Sequence, residues 1–142
     1  MSGPGFWASA DAGGPLSSRT FDAAIYTWIT GDDPGHLGLY DCASIPNEEN
    51  NFAGQNYTGY CDPEADKLLS ANETDPEISL SIEKRKPVLQ QFYTLWTDAV
   101  PVIPLFSNTR VYVVRAGLQN FKAGPTQYAA DAWNSWEWVL EK

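Results

Sequence analysis

The sequence predicts a mixed α/β (α+β) domain, a sheet of short strands flanked by helices, and two observations carry that expectation. Two stretches, Asp62 to Asn72 and Ser81 to Asp98, place apolar residues at helical spacing. Short β-rich runs lie on either side of them, at Phe21 to Ile29 and again beyond Val100. With 142 residues the chain is long enough for one compact domain, and its 43% hydrophobic content argues against disorder.

Residues 1–20 carry Gly3, Pro4, Gly5, Gly13, Gly14 and Pro15 and read mostly as loop, with a short apolar piece at Phe6-Trp7-Ala8. In Phe21 to Ile29, Phe21, Ala23 and Ile25 alternate with Ala24, Tyr26 and Trp28. Both faces are mainly apolar, as in a strand covered on both sides. Thr30-Gly31-Asp32-Asp33-Pro34-Gly35 breaks it. Residues 36–61, rich in Asn, Gly and Tyr, read as a long ordered loop with one helical turn.

Asp62-Pro63-Glu64 is a helix start: a capping acid, proline at the first position and a carboxylate in the first turn. Ala65, Leu68 and Leu69 form the buried stripe of that helix, and Asn72 can end it. The next helix buries Val88, Leu89, Phe92, Leu95 and Trp96, with Pro87 either kinking it or marking its first turn. Short strands follow at Val102-Ile103, Leu105-Phe106, Val111 to Val114 and Trp133 to Leu140.

Charge is uneven. Residues 1–83 hold fourteen acids against Arg19 and Lys67, whereas residues 84–142 hold seven bases against four acids, for a total of −9. An acidic chain of this kind excludes nucleic acid as partner, since that needs a basic face. The acids form either a solvated surface or a cleft that attracts cations. The two cysteines, Cys42 and Cys61, lack CxxC spacing and any accompanying His pair, which argues against zinc. They read as a disulfide, hence an oxidising compartment, or as two buried thiols. No apolar run is long enough for a membrane span. The opening residues have neither a basic nor an apolar region of the signal-peptide kind, so either the protein is cytoplasmic or its export signal lies outside these residues.

Chemistry finds little footing. His36 stands alone in a glycine-flanked loop, with no GxSxG serine, and reads as a solvent-exposed residue. Asp32, Asp33, Asp41, Glu48 and Glu49 leave a paired-carboxylate hydrolase formally open. No nucleotide, cofactor or metal motif is present. Asn56-Tyr57-Thr58 and Asn72-Glu73-Thr74 match the glycosylation pattern, which is short enough to arise by chance. Trp28, at a strand end before a Gly-Asp turn, offers a flat apolar face beside a carboxylate, a way to hold a small amphiphilic solute.

The order of the pieces points further. Phe21-Asp22-Ala23-Ala24-Ile25-Tyr26-Thr27-Trp28 precedes Gly31-Asp32-Asp33-Pro34, then Asn56-Tyr57-Thr58-Gly59-Tyr60-Cys61-Asp62-Pro63-Glu64. After these come Glu83-Lys84-Arg85-Lys86, Ala99-Val100-Pro101-Val102-Ile103-Pro104-Leu105-Phe106, and Trp133-Asn134-Ser135-Trp136-Glu137-Trp138. From about residue 16 onward this succession resembles the C-terminal part of the family 5 extracellular solute-binding proteins of ABC importers, the oligopeptide/dipeptide/nickel type. The resemblance implies a bilobal periplasmic binding protein, with residues 1–105 part of the C-terminal lobe and 106–142 a hinge crossover with strands returning to the N-terminal lobe. It implies no enzymatic activity, a peptide or other small solute between the lobes, and docking onto a membrane ABC permease. The protein would be periplasmic or a cell-surface lipoprotein. Trp28 and Asp32 match the ligand-binding positions, Asp32 one residue further along than in common peptide binders; Tyr26 shares the face of Trp28. One branch of the family pairs a loop cysteine with that of the NYxGYC segment, as Cys42 and Cys61 would. Exposed strand edges would let this chain form a homodimer. The alternative is a secreted carbohydrate-binding module or a fragment of a glycoside hydrolase.

Overall fold

The computed structural model describes residues 3–28, 33–107, 109–124 and 131–141. Two compact units divide the chain: Met1–Thr27 with Gly35–Ile103, and Trp28–Pro34 with Pro104–Lys142.

The first unit is helical. Short α1 (Pro15–Ser18) and α2 (Leu37–Tyr40) precede α3 (Pro63–Thr74), α4 (Pro76–Ser79) and α5 (Ile82–Ala99). Helix α3 starts where the sequence places it. The Asp62 carboxylate accepts from the backbone N–H groups of Glu64 (2.8 Å) and Ala65 (3.2 Å), and Pro63 needs no partner for its nitrogen. Asp75 then repeats the device for α4, accepting from Glu77 N–H at 2.8 Å ahead of Pro76. Asn72 does not end α3, which runs on to Thr74. Its side chain is buried and accepts a 2.9 Å hydrogen bond from Arg85 Nε, tying α3 to α5.

The core lies between α3 and α5. Ala65, Leu69 and Phe92 are fully buried, with Leu37, Tyr40, Tyr60, Leu68, Leu95 and Trp96 packed around them. Helical spacing on both helices brings these residues onto facing stripes. Pro87 sits inside α5, which begins five residues before it at Ile82. The helix ends on Val100, which adopts the left-handed region (φ 48°) so that its N–H reaches Trp96 O at 3.0 Å.

The second unit carries a two-stranded antiparallel pair, β1 (Leu118–Gln119) with β2 (Val139–Leu140), in which Leu118 faces Leu140 and Gln119 faces Val139. Asn134, fully buried, locks it. Its Nδ2 donates to Asn120 O (2.8 Å) and Glu137 Oε2 (3.1 Å), while its Oδ1 accepts from Trp138 Nε1 (2.9 Å). Tyr112, Phe121 and Trp138 pack in a row of tilted rings, with centroids 5.5 and 5.7 Å apart.

The chain is therefore mixed helix and sheet, but the larger sheet expected from the sequence does not form among the described residues. Phe21–Trp28, Val102–Phe106 and Val111–Val114 lie outside any strand ladder. A strand needs a neighbour's edge for its backbone groups, and high β-propensity alone provides none. The doubly covered strand at 21–29 is corrected too: Ile25 is 80% exposed. In Trp133 to Leu140 only Val139 and Leu140 pair, after a 3₁₀ turn over Ser135–Glu137.

Candidate functional site

Tyr26 lies in an aromatic cluster of the first unit. Its ring meets Trp7 edge-on at 5.6 Å, Tyr57 edge-on at 6.3 Å and Phe6 at 6.3 Å, and Phe6 and Trp7 are themselves edge-on at 5.2 Å. Local hydrogen bonds hold the contributing segments. Phe6 N–H donates to Gly3 O at 3.0 Å, closing a turn, and Ser17 Oγ donates to Ala8 O at 3.0 Å, pinning the segment behind Trp7. Trp7 remains 50% exposed, so the cluster presents one face to solvent. Burial pushes the Tyr57 hydroxyl above its ordinary pKa, keeping it neutral. Such a cluster can accept a planar or apolar group and can donate hydrogen bonds from tyrosine hydroxyls.

The loop that carries Tyr57 is rigidly made. Cys42 and Cys61 are joined by a disulfide, their Cα atoms 4.6 Å apart. Inside the loop Asn56 is fully buried; its Nδ2 donates to Asp41 O (2.8 Å) and Tyr60 O (2.7 Å), and its Oδ1 accepts from Thr58 Oγ1 at 2.8 Å. Gly59 has φ 72°, a left-handed conformation that favours glycine, and the Arg19 guanidinium lies where a Cβ would stand. Asp66 accepts from Cys42 N–H at 3.1 Å, although desolvation, opposed by that hydrogen bond, leaves its carboxyl above the usual range. The asparagines of both glycosylation patterns, Asn56 and Asn72, are buried and hydrogen-bonded, which removes them as acceptors in the folded protein.

His36 is not the exposed loop residue that its glycine-rich surroundings suggest. Its ring stacks on Phe92 (6.0 Å, 29°), and Nε2 lies 2.8 Å from Tyr93 Oη. Glu73 Oε1 accepts from the N–H groups of both His36 and Leu37 at 2.8 Å. Desolvation lowers the imidazole pKa, and Glu73 partly restores it. The residue fastens α2 to the core, and its setting offers no nucleophile.

The predicted site residues are thus distributed. Tyr26 belongs to the first unit and Trp28, half-buried, to the second, while Asp32 lies outside the described residues. Sequence reasoning missed Phe6, Trp7 and Tyr57 as companions of Tyr26. Their signal was present only as the apolar piece Phe6-Trp7-Ala8 and the tyrosine-rich loop. No group of three or more His, Cys, Asp or Glu side chains among the described residues could hold a metal ion.

Over 134 residues, 94% of this chain, the sequence is 23% identical to an uncharacterized lipoprotein of Mycobacterium tuberculosis. The chain spans 23% of that protein's length. No family model matches the chain, and no solved structure matches it.

Proposed function

We propose that this chain is the C-terminal part of an extracytoplasmic solute-binding protein of the oligopeptide/dipeptide ABC-importer type, with peptide as the favoured solute class. The observation that carries the reading is the apolar surface of the segment after Ile103, which lies outside any strand ladder. Leu105, Phe106, Val111 and Val113 are 62, 78, 81 and 95% exposed. Exposed β-prone side chains of this kind suit a sheet that another part of a longer polypeptide completes. On this reading residues from about 106 cross a hinge and return to a second lobe.

Three further points support it. The disulfide fits an oxidising, extracytoplasmic compartment. The similar protein is called a lipoprotein and is several times longer than this chain, which suits a membrane-anchored, two-lobed receptor. The aromatic cluster around Tyr26 is half open and suited to lining a solute cleft.

Ligand titration of the longer protein tests the reading, with Trp28→Ala and Asp32→Asn compared with wild type. Loss of affinity in both favours an amine-bearing solute, because removing one partner of a desolvated charge pair costs about 2–5 kcal/mol. Loss in Trp28→Ala alone points to an uncharged ligand stacked on the ring. Unchanged binding in both overturns the site, and a catalytic domain in the same polypeptide would favour the secreted hydrolase instead.

A further inference from the structure

The neck of the disulfide loop is closed twice, once by sulfur and once by a side chain. Cys42 and Cys61 form the covalent closure. Asn56, fully buried inside the loop, forms the other. Its Nδ2 donates to the carbonyls of Asp41 (2.8 Å) and Tyr60 (2.7 Å), the residues directly before the two cysteines. One amide therefore bridges both sides of the neck, one residue away from each cysteine. Further bonds hold Asn56 in place. Its N–H donates to Ser44 O at 3.0 Å, and its Oδ1 accepts from Thr58 Oγ1 at 2.8 Å and from Gly59 N–H at 3.2 Å.

Helix α3 registers the same two cysteines independently. Cys61 directly precedes Asp62, whose carboxylate caps that helix. Asp66, in the first turn of the same helix, accepts from Cys42 N–H at 3.1 Å. Both cysteine backbones are thus tied to one helix end by contacts that contain no sulfur. The two side chains differ in access: Cys61 is exposed and Cys42 half-buried. A reagent in solution therefore meets Cys61 first, and Cys42 reacts from inside the neck.

We propose that Asn56 is a positioning residue for the oxidation of Cys42 and Cys61: in the reduced chain its amide holds the neck closed, so the two thiols stand within reach of each other before the bond forms. The oxidant is a low-molecular-weight disulfide. The Cys61 thiolate attacks one of its sulfurs and expels the first thiolate, which leaves a mixed disulfide on Cys61. The Cys42 thiolate then attacks Cys61 Sγ, forms the Cys42–Cys61 bond and expels the second thiolate. The protein gives up two electrons and two protons, and the reagent leaves as two thiols. Preorganisation acts on the second step, as a high effective concentration of Cys42 at Cys61, and spares the chain the entropy of closing the loop. A corollary is that Tyr57 keeps its edge-on contact with Tyr26 in the reduced protein, because the loop that carries it stays closed. The proposal is independent of the solute-binding reading.

The test is equilibration of this chain with mixtures of reduced and oxidised glutathione. Mass spectrometry after acid quenching reads the ratio of dithiol, mixed-disulfide and disulfide forms. The expected result is an effective concentration lower by about tenfold or more in Asn56→Ala than in wild type, with glutathione accumulating on Cys61. Asn72→Ala, which removes a buried asparagine at the far end of α3, should leave the ratio at its wild-type value. Equal effective concentrations in wild type and Asn56→Ala overturn the proposal, and so does an equal loss in Asn72→Ala. A second measurement leaves Asn56 intact. In Cys42→Ala/Cys61→Ala the amides of Asn56 and Gly59 should stay protected from hydrogen exchange, with the Tyr57 ring still close to Tyr26 by NMR. Exchange of those amides at unfolded-chain rates, while the amides of α3 and α5 remain protected, overturns it as well.

Discussion

Removing the disulfide should cost the first unit much of its stability. In Cys42→Ala/Cys61→Ala the unfolded chain regains the freedom of a loop whose ends are 19 residues apart in sequence. The chain-entropy model puts the loss at about 3 kcal/mol. That is large beside the core: among the described residues, Leu16, Ala65, Leu69 and Phe92 are the buried hydrophobics. A single buried Leu or Phe contributes roughly 1.5–3 kcal/mol, so the crosslink matters about as much as one or two of them. For a unit of roughly a hundred residues the unfolding entropy near the midpoint is about 0.2 kcal/mol per kelvin, so Tm should fall by about 15 °C. Circular dichroism melts of wild type and the double variant, each under non-reducing conditions, measure it. A drop of less than about 3 °C would refute the reasoning. It would mean that the Asn56 hydrogen bonds hold the loop even in the unfolded ensemble, or that the first unit melts without opening it.

Four further outcomes follow from particular contacts. Asn56→Ala leaves the carbonyls of Asp41 and Tyr60 without their buried donor and should cost about 1–3 kcal/mol in denaturant melts; a change near zero would contradict the role given to this side chain. Val100→Gly relieves a left-handed β-branched residue at the end of α5 and should stabilise by up to about 1 kcal/mol, whereas a loss would show that the exposed valine makes contacts worth more than its strain. Because burial lowers the His36 pKa below its ordinary 6.5, the unfolded state binds more protons at mildly acidic pH. Stability is therefore complete above about 6.5 and declines as pH falls toward the folded-state value, and His36→Gln should flatten that slope. Finally, because the implied solute site lies between two lobes, this chain alone should bind the longer protein's solute weakly and self-associate through Leu105, Phe106, Val111 and Val113, as read by calorimetry and sedimentation; affinity within about tenfold of the longer protein's would show that the second lobe is not needed.

The helices were legible because their signals are local. Asp62 and Pro63 dictate where α3 begins, and the spacing of Ala65, Leu68 and Leu69, like that of Phe92 and Trp96, dictates which faces meet. The strands were not. Val111 to Val114 has the composition of a central strand, but a ladder depends on an edge elsewhere, which composition does not reveal. His36 shows the same limit at a single residue: its glycine neighbours suggested solvent, while Phe92, Tyr93 and Glu73, dozens of residues away, enclose it. The candidate site was partly legible. Tyr26 could be singled out within its segment, whereas Phe6, Trp7 and Tyr57 become its neighbours only through turns and a disulfide-closed loop.

Mass spectrometry of whatever solute co-purifies with the longer protein, released by denaturation, tests the central claim most directly. The account predicts a small solute, foremost a peptide, present in near-stoichiometric amount and lost or depleted in Trp28→Ala. A longer protein that carries no such solute, binds none from a peptide mixture and instead cleaves glycosidic bonds would contradict it.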